Sequence, residues 1–155
     1  MNRVQSFGDR FEKLANIRFA DCDPAGIVFY PQYFVLFNGL VEDWVGEVLG
    51  VPYAELIGTR RIGMPTVSVQ TDFRAISKFG DTVTLGLQVE RIGSRSLTLA
   101  LDARCGDELR VQSRHVVVTT NLETHHAIAI PPDLRASVER FAQHPHPALS
   151  HPPLQ

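Results

Sequence analysis

Apolar and polar residues alternate in four successive segments between residues 66 and 120, and this pattern constrains the fold more than any other feature of the chain. Short turn sequences at Gly80-Asp81, Ile92-Gly93-Ser94 and Gly106-Asp107 separate the segments. Strands that follow one another through such short turns pair in antiparallel fashion. The apolar faces of the first three segments are Val67, Val69, Thr71 and Phe73, then Val83, Leu85, Leu87 and Val89, then Leu97, Leu99, Leu101 and Ala103.

The fourth segment, Leu109 to Thr120, departs from strict alternation at Val116-Val117-Val118. Three consecutive valines predict either a β-bulge or a strand that is buried on both faces. A further strand is expected earlier in the chain, from Leu14 to Asp21, with Ile17 and Phe19 on one face. The sequence therefore predicts an antiparallel sheet of about five strands.

A long helix is expected to begin near Pro31, because proline suits the first helical turn, where its missing N–H costs nothing. This helix is the only early element able to cover a face of the sheet, which gives an α+β architecture. Gly50 to Gly63 is expected to be a connection, and a shorter helix is predicted from Pro132 to Phe141. The apolar residues at helical spacing are Tyr33, Phe37, Leu40, Val41, Trp44 and Val48.

The length of 155 residues fits one domain, which we expect to span residues 1–142. The net charge of −2 gives no electrostatic argument for a nucleic acid or an anionic membrane as partner, so neither is expected. Only Cys22 and Cys105 occur, too few for a disulfide framework, so we expect a cytoplasmic protein. Residues 1–12 are expected to be a polar leader, and the Pro- and His-rich residues 143–155 a disordered tail.

The segment from Asp21 to Pro31 places two carboxylates just before the predicted helix. Pro24 pushes Asp23 out of the α region and Gly26 permits a sharp reversal, so the segment is expected to be a loop. The free N–H groups of a helix N-terminus can bind an oxyanion or polarise a carbonyl. An acid beside such a group is half of an acyl-transfer site. The alternative is that Asp23 only satisfies its own turn, as most aspartates before Pro or Gly do.

The run Asp23-Pro24-Ala25-Gly26-Ile27-Val28, followed by the aromatic pair Phe29-Tyr30, resembles the 4-hydroxybenzoyl-CoA thioesterase family of hot-dog-fold acyl-CoA thioesterases. The specific match runs from Phe19 to about Phe34, and a looser match in strand order and spacing reaches Pro131. The resemblance implies a hot-dog fold, in which a curved antiparallel sheet wraps around one long central helix. It also implies an acyl-CoA thioesterase that needs no cofactor and no metal.

Within this resemblance Asp23 aligns with the family's catalytic acid, and the backbone N–H of Tyr30 with its oxyanion contact. The carboxylate can attack the thioester carbonyl to give a mixed anhydride, or deprotonate a water that attacks instead, and the sequence leaves both routes open. The resemblance further implies that two protomers join their sheets edge to edge and build each active site at their interface. We therefore expect a homodimer or homotetramer.

The neighbours of Asp23 are expected to support the loop. Asp21 is expected to shape it or to bond backbone amides, and an Asp-x-Asp pair with no third acidic ligand nearby is a poor metal site. Cys22 is expected to be a small packed residue, because no histidine precedes His115 to activate its thiol. His125-His126 are expected to line a surface hairpin.

Cations are expected at the mouth of the site to meet the phosphates of coenzyme A, and Arg91, Arg95 and Arg114 are candidates. The resemblance places a basic residue at Arg95-Ser96, where the two sequences agree by spacing and not by identity. The alternative is an ordinary surface arginine. His126 stands where the family tends to have a basic residue, which is a departure from its pattern. Asn38 lies where family members place a polar side chain against the acyl ring.

The Tyr30-Pro31 pair favours an aromatic, 4-hydroxybenzoyl-like acyl group. The alternative is a short-chain acyl-CoA thioesterase of the Tol-Pal-linked type, although those enzymes usually have histidine where Pro31 stands. A hot-dog hydratase or dehydratase commonly uses a histidine, and none lies between Met1 and Arg114. The third possibility is a non-catalytic module that binds acyl-CoA or acyl carrier protein, against which the acid at position 23 argues.

Overall fold

The computed structural model describes residues 9–143. Its α-helices and strands are β1 (Arg10–Asn16), α1 (Gln32–Glu47), β2 (Ile62–Gly63), β3 (Thr66–Phe73), β4 (Thr82–Ile92), β5 (Ser96–Cys105), β6 (Glu108–Val118), β7 (Thr120–Asn121) and α2 (Pro132–Gln143). A 3₁₀ turn at Phe19–Asp21 follows β1, and a five-residue π-helix at Glu55–Thr59 lies within the predicted connection. Five strands form one antiparallel sheet in the order β1-β4-β5-β6-β3, and β2 pairs with β7 in a separate ribbon. The four strands predicted between residues 66 and 120 are thus confirmed.

The first strand was predicted at the wrong place. Leu14 to Asp21 does not form it, because β1 ends at residue 16 and the chain then turns. Phe19 lies in that turn and is 70% exposed, whereas Ile17 is 2% exposed, so the two do not share a buried face. Arg10 to Glu12 belong to β1, so the predicted leader of residues 1–12 is too long.

The irregularity predicted at Val116-Val117-Val118 is confirmed as a β-bulge at the pairing of β3 with β6. Val116 and Val117 face three residues of β3, so Val67 is the extra residue and the bulge belongs to the partner strand. Burial along β6 still alternates, since Val117 is 3% exposed and the valines on either side are partly exposed. The alternative of a strand buried on both faces is wrong.

Helix α1 begins where the sequence predicts, with Pro31 at its N-cap, and packs onto the inner face of the sheet. Phe37 and Trp44 are fully buried in that contact. Trp44 also meets Phe141 of α2 edge to face, with ring centroids 5.6 Å apart, so the second helix joins the same core. The predicted α+β architecture is confirmed. The sheet contributes Val83, Leu85, Leu87, Val89, Leu97, Leu99, Leu101, Ala103 and Val111 to the core.

The two edge strands differ in chemistry. Along β3 the apolar stripe is left open, with Val67, Val69 and Phe73 at 62%, 45% and 49% exposed. At the other edge β1 exposes Leu14 among charged side chains. Charged side chains protect an edge strand from pairing with another chain, and the stripe on β3 lacks them.

Helix α2 confirms the short helix predicted near the end of the chain, and Gln143 is its last residue. The rest of the predicted tail, residues 144–155, lies outside the described residues. Among the helices of residues 9–143, none is long and apolar enough to cross a membrane.

Candidate active site

The loop ahead of α1 folds back on itself as a small hairpin. Cys22 pairs with Val28 in antiparallel fashion, and the Asp23 N–H donates a hydrogen bond to the Ile27 carbonyl at 3.0 Å. The reversal lies at Gly26, whose φ of +76° is a conformation that residues with a Cβ rarely adopt. The hairpin places Asp23 opposite Ile27, three residues before Tyr30.

The carboxylate of Asp23 uses only part of its hydrogen-bonding capacity within the hairpin. Its Oδ1 accepts the Ala25 N–H at 2.9 Å, which is a bond that turn aspartates commonly make. Among residues 9–143 nothing donates to its Oδ2, and the side chain is partly exposed. A carboxylate fixed at one oxygen and open at the other can support the turn and also reach a substrate.

Asp21 supports the loop, as predicted. Its Oδ2 accepts the Arg18 N–H at 2.8 Å, and its Oδ1 accepts the side-chain amide of Gln32 at 3.1 Å. Because Gln32 is the first residue of α1, the second of these bonds fastens the loop to the start of the helix. Partial burial raises the pKa of the Cys22 thiol, and the Asp21 carboxylate adds to the shift. A thiol that stays protonated is a poor nucleophile, which agrees with a packing role for Cys22.

The backbone N–H of Tyr30 is available to bind an oxyanion. The following amides are already used, since the Gln32 N–H donates to the Phe29 carbonyl at 2.8 Å and the Tyr33 N–H to the Tyr30 carbonyl at 3.2 Å. Pro31 has no N–H. In the described part of the chain, no carbonyl or side chain accepts a hydrogen bond from the Tyr30 N–H. The start of the helix therefore offers an open donor beside the hairpin that contains the acid.

Exposed aromatic rings surround this end of the helix. The rings of Phe29 and Tyr30 meet at 5.5 Å, and those of Tyr30 and Phe73 at 6.0 Å, while all three residues are about half exposed. A second exposed pair, Phe19 and Phe79, packs edge to face at 5.8 Å. Open aromatic surface beside an acid and a free N–H fits a planar, largely apolar ligand.

Within one chain the structure does not bring Arg95 and Ser96 to this loop. Both lie at the turn between β4 and β5, whereas Lys78, which pairs with the loop at Ile27, precedes β4. Because β4 has 11 residues, its two ends are ~35 Å apart at ~3.3 Å per residue. Asn38 lies on the exposed side of α1, about two helical turns beyond Tyr30.

The other basic candidates differ in how far they are already paired. Arg114 makes two hydrogen bonds of 2.8 Å to the carboxylate of Glu90, so it is the poorest phosphate ligand of the three arginines. Arg91 is exposed, and within residues 9–143 it has no ion pair. The surface hairpin predicted at His125-His126 is confirmed, since both are exposed and the His125 N–H donates to the Asn121 carbonyl at 2.7 Å.

Metal binding finds no support in the described residues, where no three His, Cys, Asp or Glu side chains lie close enough together to hold an ion. That the protein needs neither a metal nor another cofactor stays a prediction.

Sequence reasoning missed Gln32 and Ser77, the two polar residues that hold the loop from outside. The Tyr33 hydroxyl donates to Ser77 Oγ at 2.8 Å, and the Val28 N–H donates to the Ser77 carbonyl at 2.9 Å. A tyrosine at a buried helical position needs a partner for its hydroxyl. That signal predicts that a partner exists, but it does not identify Ser77.

Comparison with known proteins agrees with the resemblance seen in the loop. The sequence model of the thioesterase-like superfamily matches residues 17–138. A 1,4-dihydroxy-2-naphthoyl-CoA hydrolase from Prochlorococcus marinus (strain MIT 9303) is 29% identical over 126 residues, which cover 74% of this chain and 80% of that protein. A 4-hydroxybenzoyl-CoA thioesterase from Pseudomonas sp. (strain CBS-3) is 31% identical over 70 residues, 44% of this chain and 50% of that protein.

A solved structure gives the same result for the fold. The structure of a gentisyl-coenzyme A thioesterase superposes on this chain with a TM-score of 0.75 at 27% sequence identity. The superposed region covers 81% of this chain and 99% of the gentisyl-coenzyme A thioesterase. The hot-dog fold that the loop motif implied is therefore confirmed.

Proposed function

We propose that this chain, which belongs to the thioesterase-like superfamily, hydrolyses the thioester bond of an aromatic acyl-CoA. One observation supports the proposal most strongly. The short loop before α1 contains both Asp23, with one open carboxylate oxygen, and the unpaired N–H of Tyr30. The acid supplies a nucleophile or a base, and the N–H stabilises the charge that develops on the thioester oxygen.

Two routes fit this arrangement. In the first, the Asp23 carboxylate attacks the thioester carbonyl, the coenzyme A thiolate leaves, and water hydrolyses the resulting mixed anhydride. In the second, Asp23 takes a proton from a water molecule as that water attacks the same carbonyl, and the thiolate again leaves. Both routes place the oxyanion at the Tyr30 N–H, so Asp23 and Tyr30 have the same positions in either case.

An aromatic acyl group is supported by the surface beside the acid. The exposed rings of Phe29, Tyr30 and Phe73 offer both faces and edges to a planar group, as aromatic packing requires. The relatives also favour this class, because the acyl groups in their names are dihydroxynaphthoyl, hydroxybenzoyl and gentisyl. Asn38, on the open side of α1, is the polar side chain that we propose for a ring substituent.

We further propose that the working unit is at least a dimer joined along β3. Pairing of two β3 strands in antiparallel fashion sets the Thr66 end of one protomer against the Phe73 end of its partner. At one end of β3, the ring centroids of Phe73 and Tyr30 are 6.0 Å apart. The Thr66 end adjoins the Arg95 turn, because Val118 pairs with Ser96 and donates its N–H to the Pro65 carbonyl. The partner subunit's Arg95 would then approach the site and meet the phosphates of coenzyme A.

The cellular location stays a prediction. Cys22 and Cys105 are both free thiols in the structure, which fits the reducing conditions of the cytoplasm.

A panel of acyl-CoA thioesters tests the proposed activity, with release of the coenzyme A thiol followed by a thiol-reactive dye. The panel contains 1,4-dihydroxy-2-naphthoyl-CoA, 4-hydroxybenzoyl-CoA, gentisyl-CoA, benzoyl-CoA, butyryl-CoA and acetyl-CoA. We expect kcat/KM for the best aromatic thioester to exceed that for the short-chain thioesters at least tenfold. A preference for butyryl-CoA would indicate a short-chain acyl-CoA thioesterase instead. Tight binding of acyl-CoA without any hydrolysis would indicate a non-catalytic binding module.

Light scattering at micromolar concentration tests the assembly. We expect the mass of a dimer or a tetramer, because no part of residues 9–143 covers the open stripe on β3. A stable monomer that hydrolyses acyl-CoA at the full rate would contradict a site built from two protomers.

A further inference from the structure

A buried polar contact lies under the first turn of α1. The Tyr33 hydroxyl donates to Ser77 Oγ at 2.8 Å, and the two residues are 3% and 1% exposed. Burial raises the pKa of Tyr33, so its hydroxyl stays protonated and continues to donate. A buried hydroxyl pair of this kind is costly to break, because the Tyr33 hydroxyl would be left without water and without a partner.

The main chain of Ser77 holds the loop on the other side of Tyr30. Its carbonyl accepts the Val28 N–H at 2.9 Å, and the next residue, Lys78, pairs with Ile27. Ser77 therefore contacts the chain two residues before Tyr30 through its carbonyl, and three residues after it through its hydroxyl. The free N–H of Tyr30 lies between these two attachment points.

Arg110 of β6 fixes Ser77 to the sheet. Its Nη1 donates to Ser77 Oγ at 3.2 Å, to the Ile76 carbonyl at 2.7 Å and to Asp81 Oδ2 at 3.0 Å. Asp81 Oδ2 also accepts the Lys78 N–H at 3.0 Å. The segment that contacts the loop is thus attached to the sheet at its beginning, its middle and its end.

We propose that Ser77 is a positioning residue for the reaction, which fixes the Tyr30 N–H where the thioester oxygen develops charge. The inference rests on the proposed function, because it assigns Tyr30 the role of oxyanion donor. An oxyanion donor acts only when it lies at hydrogen-bond distance from the position that the charged oxygen takes in the transition state. A displacement of ~1 Å in such a group can cost ~10²-fold in rate.

Two variants and their combination test the proposal. Ser77→Ala removes the hydroxyl that accepts hydrogen bonds from both Tyr33 and Arg110. Tyr33→Phe removes only the hydroxyl that donates to Ser77. We expect each variant to lower kcat for the best acyl-CoA by about ten- to a hundredfold while KM stays within about threefold. The double variant should lose no more than the worse single variant, because both act through one contact.

Tyr53→Phe is the control, since Tyr53 is another tyrosine that packs against the core, is only partly buried, and lies in the connection after α1. We expect it to leave kcat unchanged. Circular dichroism, with assays run well below each melting temperature, distinguishes a variant that has unfolded from one that is folded but slow. If Ser77→Ala does not fold, the nearly isosteric Tyr33→Phe still tests the proposal.

The possible failures can be told apart. Variants that match the wild-type kcat within threefold, or that change KM alone, would overturn the positioning role while the proposed function stands. A wild-type protein that hydrolyses no acyl-CoA would overturn both proposals.

Discussion

The inner faces of β5 and β3 have the same alternating apolar pattern, yet residues 9–143 cover the first and leave the second open. Leu99 of β5 is fully buried in the core, whereas Val67 and Phe73 of β3 are 62% and 49% exposed. The open strand is also the one that contacts the candidate site, through Phe73 and Tyr30. Alternation therefore shows which residues share a face of the sheet and leaves open what covers that face. The uncovered face is where we expect substrate and a second protomer to bind.

Asp23→Asn tests the open region with the largest expected effect. The amide can still accept the Ala25 N–H through its oxygen, so the hairpin and the melting temperature should be preserved. It can act neither as nucleophile nor as base, so kcat should fall at least ~10³-fold while the affinity for coenzyme A is retained. Asp43→Asn, on the exposed side of α1, is the control and should keep full activity. Turnover of Asp23→Asn within tenfold of wild type would remove Asp23 from the mechanism.

Leu99→Ala tests the covered region. Leu99 is fully buried, and loss of such a leucine costs the transfer of its methyl groups plus the cavity left behind, about 3 kcal/mol in the free energy of unfolding. Leu14→Ala is the same substitution at a residue 74% exposed on β1, and it should change that free energy by less than ~0.5 kcal/mol. Urea unfolding at one fixed protein concentration measures both. Equal losses would show that Leu14 is covered in the assembled protein.

Val67→Lys tests whether the open edge is open for a partner. A lysine on an edge strand disfavours pairing with another chain, so the variant should dissociate to monomers at concentrations where the wild type is assembled. Leu14→Lys places the same charge on the opposite edge strand and should leave the assembly intact. Light scattering over a dilution series gives the dissociation constant of each. Dissociation of Leu14→Lys alone would assign the interface to β1.

The error at β1 shows what local pattern cannot supply. Arg10 and Glu12 read as a polar leader, but the Arg10 guanidinium is buried against Asp102 in two hydrogen bonds of 2.7 and 2.6 Å. Gly86 makes this possible, since a Cβ at that position would overlap the Arg10 guanidinium. The ion pair joins residues 92 apart in sequence, so hydrophobic periodicity could not reveal it.

Some features of the candidate site also have local causes in the sequence, and others depend on contacts between distant residues. The turn at Asp23 and Gly26 was predictable, because proline and glycine fix the backbone wherever they stand. The attachment of the loop by Ser77, and the ~35 Å between the two ends of β4 that separates Arg95 from the loop, depend on tertiary structure. Sequence therefore predicted the local geometry of the turn better than its surroundings, and the catalytic role of Asp23 stays a prediction.

His115 gives a pH test of the covered region. It is 3% exposed on β6 between the rings of Phe34 and Phe37, and no side chain or carbonyl of residues 9–143 bonds to its Nε2. Burial lowers the pKa of His115 below its usual value of 6.5. As the pH falls below 6.5 the unfolded chain takes up a proton that the folded chain does not, so the free energy of unfolding decreases.

A comparison with His115→Leu isolates that contribution. Between pH 7 and pH 5.5 the wild type should lose up to about 1 kcal/mol more than the variant, since one proton accounts for at most ~1.4 kcal/mol per pH unit. Urea unfolding at both pH values measures the difference. Parallel loss of stability in the two proteins would show that His115 is hydrated or paired in solution.

Arg95→Ala carries the smallest expected effect and tests the open surface furthest from the acid. Arg95 is exposed, and a solvated charge contributes at most about 1 kcal/mol to binding a phosphate, so KM for an acyl-CoA should rise about threefold with kcat unchanged. The same acyl group on pantetheine has the thioester but not the nucleotide phosphates, and its KM should not change. Arg140→Ala removes another exposed arginine, on α2, and is the control.

If Arg91→Ala raises KM for acyl-CoA and Arg95→Ala does not, the phosphate contact belongs to the end of β4. The dimer along β3 then loses one of the arguments for it, because that argument required the Arg95 turn to approach the partner's site.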